Sequence, residues 1–312
     1  MRRVPVAFAL VILVALSLAA AASASQLVTR DASDVRLRVN AAEDALVTFT
    51  KPTGKRVRVL ASGAINALHP NARGRQVRLR LDYSGGWKTR GKAAWKRFGN
   101  RCRAYDGPQI AFLVAACKAP DGSHWVLQGW QRSLPYHGGP ASNRFHYTTE
   151  LRLSHFTGEL ARLEVWHDWM HPSRFHELFG RLTYRGVAVH GFPKKRFGRT
   201  DQAFARRVYA DTFNSGYGPG WWRADSLRVH YPTGTFCVLL AKNLTDRWGT
   251  NRGWGERYRI VVEGPGVTPD VVWEGNALPT FSPTNADHVE HERAMEAIRT
   301  SLRDPDRRCN FA

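Results

Sequence analysis

"HELFGRLTYRGVAVHGF", residues 176–192, decides the fold class. Apolar residues recur at alternate positions on both sides of Arg185-Gly186, a dipeptide suited to a two-residue turn. That turn sets Tyr184 against Val187, Leu182 against Val189 and Arg181 against His190. Leu178, Leu182, Tyr184, Val187 and Val189 then share the core face, while Glu177, Phe179, Arg181 and His190 share the other. The stretch is a β-hairpin.

The same alternation recurs along the chain. "VRLRV" (35–39), "ALVTFT" (45–50), "KRVRVL" (55–60) and "VRLRLDY" (77–83) each set apolar residues on one face and polar ones on the other. Further strands are predicted near 111–115, 124–129, 149–156, 160–169, 226–231, 235–241, 257–264 and 270–274. Residues 84–104 break the period and read as a basic linker or a long loop with a short helix. One long helix closes the chain. Thr284 and Asp287 stand at capping-box spacing, Val289, Met295, Ile298 and Leu302 form its stripe, and Pro305 follows its end.

Many short strands separated by Gly/Pro turns predict a mainly β protein. The expected architecture is an antiparallel sandwich or jelly-roll-like body with a C-terminal α-helix. The expected division is an N-terminal β unit at 26–83, the segment 84–104, a body at 105–283, and a helix and tail at 284–312.

Residues 1–25 read as a signal peptide. Arg2 and Arg3 precede an apolar run from Val4 to Ala22, and Ala22-Ser23-Ala24 supplies the small-x-small pattern before a cleavage point after Ala24. The chain is expected to be secreted; an uncleaved N-terminal anchor is the alternative. Cleavage leaves 288 residues and lowers the formal charge from +20 to +18 by removing Arg2 and Arg3. Such a charge favours acidic glycans, wall polymers, anionic membrane surfaces or nucleic acid. Arginine outnumbers lysine 37 to 9, and the competing reading of the charge is the codon bias of a G+C-rich genome.

In an exported chain the four cysteines predict two disulfides. Loop entropy favours Cys102–Cys117, which leaves Cys237 to hold Cys309 in the tail.

The clearest cluster of chemical groups is "WHDWMHPSRFHELFG" (166–180). His176-Glu177 begins the zinc-protease pattern, but position 180 is glycine rather than the second histidine. His167 and His171 lie four apart, yet Pro172 disfavours helix at His171. On a strand, His167 shares a face with Leu163, Val165 and Trp169, and Asp168 shares the other with Glu164 and Trp166. His167, Asp168, His171 and His176 are candidate metal ligands with Glu177 as candidate base. The simpler expectation is that His167 belongs to the core.

Glu164 and Asp168 would lie roughly 13 Å apart on a strand, too far for the about 5–9.5 Å of glycosidase carboxylate pairs. The chain has no G-x-S-x-G elbow, phosphate-binding glycine loop or dinucleotide fingerprint, so no cofactor is expected.

Aromatic and basic stretches suggest binding instead. "NSGYGPGWWR" (214–223) sets Tyr217, Trp221 and Trp222 on an expected loop, and "DRWGTNRGWGERY" (246–258) sets Trp254 among arginines. Exposed indoles stack on sugar rings while arginines pair with carboxylates. Residues 87–103 hold Lys88, Arg90, Lys92, Lys96, Arg97, Arg101 and Arg103 with no acid, interleaved with Trp87, Trp95 and Phe98. This pattern suits single-stranded nucleic acid or an anionic polymer, and export favours the polymer.

"ACKAPDGSHWVLQGWQRSLP" (116–135), "ELRLSHFTGEL" (150–160), the hairpin, "NSGYGPGWWR" and "EGPGVTPDVVWEG" (263–275) together resemble a family of exported actinobacterial proteins without an assigned activity. The resemblance spans roughly 35–280 and implies export and one continuous architecture. It implies no catalytic residues. The expected function is non-catalytic binding of a glycan or anionic polymer of the cell envelope, through Trp87, Trp95, Arg97, Arg101, Tyr217, Trp221, Trp222 and Trp254. A metal-assisted polymer hydrolase built on 167–177 and a structural or partner-binding envelope protein are the alternatives.

Overall fold

The computed structural model describes residues 25–68, 77–132, 144–170, 175–189, 208–215, 218–223, 227–230, 235–241 and 254–302. In chain order the first strands are β1 (Gln26–Arg30), β2 (Ser33–Val39), β3 (Ala45–Thr50), β4 (Arg56–Gly63) and β5 (Leu79–Asp82). The one-turn helix α1 (Trp87–Arg90) follows. Then come β6 (Leu113–Lys118), β7 (His124–Trp130), β8 (Glu150–Phe156), β9 (Arg162–Met170), β10 (Phe175–Tyr184) and β11 (Val187–Ala188). The rest are β12 (Val208–Ser215), β13 (Gly218–Arg223), β14 (Leu227–His230), β15 (Thr235–Ala241), β16 (Arg257–Val262), β17 (Val271–Asn276) and helix α2 (Ala286–Ser301).

These strands form four antiparallel sheets: β1-β8-β7-β6, β2-β3-β4-β5, β11-β10-β15-β14 with β9 also on β10, and β13-β12-β16-β17. The fold is therefore mainly β, with one long C-terminal helix among the described residues. Strand alternation delivers the cores. Val47, Phe49 and Val59 meet Trp125, Leu127 and Leu153 in the first, which joins the first two sheets. Leu178, Leu182, Phe236 and Val238 meet Ala210, Tyr258 and Ile260 in the second, which joins the other two. β1 pairs with β8, so strands on either side of residues 84–104 share a sheet.

The hairpin register is as the sequence predicts. Tyr184 opposes Val187, and the Val189 amide donates to Leu182 O at 3.0 Å. His190 lies outside the described residues. The opposite face is not the solvated one that alternation alone suggests. Phe179 and Cys237 pack under Met295 and Ile298 of α2 and Leu302 at its C-terminal cap, and Glu177 is buried beside them. The outer face of β3 and β4 is covered in the same way, with Leu46 and Leu60 lying under Phe98 and Trp95. A strand with both faces covered loses the wet side on which its charges would stand.

Two expectations change. The α2 cap is Asn285, whose side chain accepts from the amides of Asp287 at 2.9 Å and His288 at 3.4 Å; Thr284 stands one residue outside. An extended Asn places its carbonyl closer to the first free amides than a hydroxyl one residue further back. Residues 218–223 form β13 rather than a loop, with Trp222 opposite Thr212 and Trp221 opposite Phe213. Aromatic β-propensity outweighs the glycine signal there. Of the two expected disulfides, Cys102–Cys117 is the one formed between described residues, with Cα atoms 5.3 Å apart. Cys309 lies outside them.

Between the two cores sits a buried ionic cluster. The Arg132 guanidinium, just past β7, bonds Glu263 and Asp270, which flank the turn between β16 and β17. Trp130 Nε1 donates to Asp270 Oδ2 at 2.9 Å, and Gln128 brackets Asp270 by bonding both its amide and its carbonyl. Ser25, Glu150, Arg152 and Arg30 complete the cluster.

Gly180 packs where β10 crosses Phe236. A Cβ there would lie 2.5 Å from Phe236 Cζ and overlap the Glu164 carbonyl, a backbone atom that does not move aside. Gly180→Ala is therefore expected to lower stability by about 1–3 kcal/mol through overpacking, read as a shifted urea midpoint with an unchanged slope.

Candidate functional site

Asp82, the last residue of β5, builds the basic segment. Its buried carboxylate accepts from the amide and hydroxyl of Ser84 and from the amide (3.0 Å) and hydroxyl (2.8 Å) of Thr89. Burial opposes this charge, but the four hydrogen bonds outweigh it and hold the carboxyl at about 2. The resulting stability is present above the ordinary value of 3.8 and is lost only as pH falls through about 2. Gly85 and Gly86 adopt φ values of 67° and 112°, where glycine is favoured, and turn the chain into α1. A Cβ at Gly85 would meet Trp95 Cδ1 at 2.7 Å, so this glycine makes the seat for that indole.

The segment divides its seven cations. Arg90 holds Asp44 through both carboxylate oxygens at 3.0 and 2.7 Å, and Arg103 donates to Ala119 O at 2.9 Å. These two anchor the loop. Lys88, Lys92, Lys96, Arg97 and Arg101 are exposed, and Trp87 among them is 60% exposed. Trp95 is half-buried, with the Arg58 guanidinium 4.2 Å from its ring centre. It supports the surface more than it lines it. Tyr83, also exposed, borders an open cleft of about 380 Å³ whose wall includes Arg30, Lys51 and Pro52.

Trp254 is half-buried and stacks on His176, with centroids 3.7 Å apart and planes at 10°. Trp221 and Trp222 lie on β13, and Tyr217 lies outside the described residues.

The histidine-rich stretch is divided by its own strand geometry. His167, opposite Leu178, and His176, opposite Trp169, share one face; Asp168 and Glu177 oppose each other on the other face. His176 Nδ1 bonds the Tyr258 hydroxyl within the core. Burial, and then His291, push the His167 imidazole down to about 4, so it is neutral at pH 7. Asp168 and Glu177 share Arg299 of α2 at 2.6 and 2.9 Å, an ion triad that locks the helix onto β9 and β10. Burial lifts the Asp168 carboxyl to about 6 and Arg299 restrains the rise. Among the described residues no three His, Cys, Asp or Glu side chains converge on a metal-sized site. His171 lies outside them. Glu177, 1% exposed and paired with Arg299, is placed as a helix anchor.

One serine–histidine contact is not legible in the sequence. Ser123 Oγ lies 2.8 Å from His155 Nε2, and His155 Nδ1 lies 2.8 Å from Gly63 O. Its elements do not follow the catalytic order. Asp121 bonds the serine rather than orienting the imidazole, Ser123 is buried, and Trp125 stacks on the ring at 3.8 Å. No signal short of the fold pairs residues 32 apart in this way.

Comparison of the chain with protein-family models, with curated proteins and with solved structures finds no match. Fold and surface together define a class: a disulfide-bonded, antiparallel β protein carrying a braced loop of exposed lysine, arginine and tryptophan.

Arg299→Met would leave two buried carboxylates without their shared cation. The expected loss is roughly 3–5 kcal/mol at pH 7. A carboxyl with a raised folded-state pKa favours the folded state as it takes up its proton, so the variant should recover part of the loss between pH 7 and pH 5. Urea unfolding at the two pH values measures both.

Proposed function

We propose that this is an exported, non-catalytic protein that binds an anionic polymer or glycan of the cell envelope through the surface at residues 83–101. One observation carries the reading: Trp87 stands 60% exposed among Lys88, Lys92, Lys96, Arg97 and Arg101, on a loop braced by Asp82 and Arg90. An exposed indole is retained at a cost in solubility, and a flat aromatic face beside cations suits a sugar ring bearing acidic groups. The open cleft beside Tyr83, with Arg30 and Lys51 in its wall, extends the same chemistry.

Export agrees with the leader-like residues 1–25 and with the Cys102–Cys117 disulfide, a bond that persists in oxidising compartments. No helix among the described residues is long and apolar enough to cross a membrane. On this reading Cys237 and Cys309 form a second disulfide that ties the tail beneath α2, and each pair of facing sheets is a sandwich.

The purified protein is expected to be retained on isolated cell walls, with retention falling as salt screens the exposed cations. Trp87→Ala should weaken binding roughly 2- to 13-fold, the equivalent of about 0.5–1.5 kcal/mol. Arg97→Ala with Arg101→Ala should flatten the salt dependence. Retention that ignores salt, or none at all, would overturn the reading.

A further inference from the structure

The cleft beside Tyr83 is walled by the edge strand β1, by the turn between β3 and β4, and by the residue that follows β5. Its volume of about 380 Å³ lies at the small end of ligand pockets, which run from about 300 to 1,000 Å³. It takes one ring-sized unit rather than a length of chain. Tyr83 is a fixed wall of this cleft. Its hydroxyl donates to Val28 O at 2.9 Å, where the β1 register shifts between Leu27 and Thr29, and half of its surface stays in solvent. With the hydroxyl engaged in this way, what the tyrosine chiefly offers a ligand is its ring. Pro52 adds a second rigid apolar surface.

The ionisable groups of the wall are one-sided, because no carboxylate lines the cleft among the described residues. Glu150 holds Nε and Nη2 of Arg30 at 3.2 and 2.9 Å, which answers that charge and leaves Nη1 unengaged. Lys51 is exposed and has no such partner. Asp34, on the neighbouring strand, accepts from the Thr50 hydroxyl at 3.2 Å, and no acid among the described residues lies within ion-pair distance of Lys51. The turn that carries Lys51 is closed by its amide on Lys55 O at 2.9 Å and by the Gly54 amide on Lys51 O at 2.8 Å. The ammonium therefore swings on a flexible stem from a fixed root.

An aromatic wall and an unanswered cation that share one small cleft select among anionic polymers. In a nucleic acid the base stacks while the phosphate tracks a separate groove beyond the sugar, so a cleft of one ring would part the two. A polyol phosphate chain carries charge but has no ring face. A uronic acid bears its carboxylate on the sugar ring itself, and the C–H groups of that ring suit an aromatic face. We propose that the Tyr83 cleft is a subsite for one uronate unit of an acidic polysaccharide, with the sugar ring against Tyr83 and Pro52 and its carboxylate on Lys51 beside Arg30 Nη1. The inference rests on the binding reading above and names its ligand class.

Calorimetric titration of the purified protein at one ionic strength compares polygalacturonate, polyglucuronate and polymannuronate with their carboxyl-reduced forms, with poly(glycerol phosphate) and with single-stranded DNA. At least one uronan is expected to bind more tightly than its reduced form and than either phosphate polymer. Lys51→Ala should weaken that binding by about 2- to 5-fold, and Tyr83→Leu by roughly 2- to 13-fold. Lys55→Ala, at the other end of the same turn, should weaken it less. Equal losses from the two lysines overturn the proposal, because charge would then act without the cleft; should Tyr83→Leu fail to fold, this lysine comparison decides alone. A phosphate polymer or a reduced glycan that matches the best uronan overturns it as well. Retention on cell walls with no uronan bound overturns this inference and leaves the binding reading standing. No retention and no polymer bound overturns both.

Discussion

Arg132 is a charge enclosed by two cores. Its guanidinium leaves the end of β7 and bonds the two acids that bracket the turn between β16 and β17, with Trp130 and Gln128 completing the coordination of Asp270. Buried ion pairs are weak sources of net stability, because desolvation consumes most of the attraction. They are strong sources of specificity, because a displaced partner leaves an uncompensated charge in a low-dielectric interior. The second core can therefore meet the first in few ways other than the one that returns Glu263 and Asp270 to Arg132. Aromatic packing reinforces the choice: Trp130 stacks on Phe112 and meets Tyr209 edge-on, 4.9 Å between centroids.

Much of the architecture was legible because strand burial has a period of two. The core-facing residues of β3, β4, β10 and β15 follow from alternation alone, and the hairpin register follows from its turn. What escaped was set by residues distant in sequence. β12 hides behind Asp211, a charge that reads as a loop until Arg259 is found opposite it on β16 at 2.9 Å. Glu177 opposite Asp168 would be repulsive as a cross-strand pair, and only Arg299, more than a hundred residues later, makes it tolerable. Short β1 comes a few residues after the apolar run of Val4–Ala22 and has no period of its own.

The candidate surface was legible in composition but not in arrangement. Seven cations without an acid mark residues 87–103, yet the sequence does not say that Arg90 and Arg103 are anchors while Trp95 supports from beneath. The histidine stretch shows the opposite case. Proximity in sequence suggested a common site, and the pleat sends neighbouring residues to opposite faces.

The basic loop is fixed at both ends: Asp82 gathers its start, and Cys102 bonds its finish to Cys117 on β6. A span held in this way fixes the backbone positions from which its cations project. On the function proposed above, such a surface would act as a ruler for a polymer whose charges repeat at regular intervals, separating chains of equal total charge by the interval at which that charge recurs.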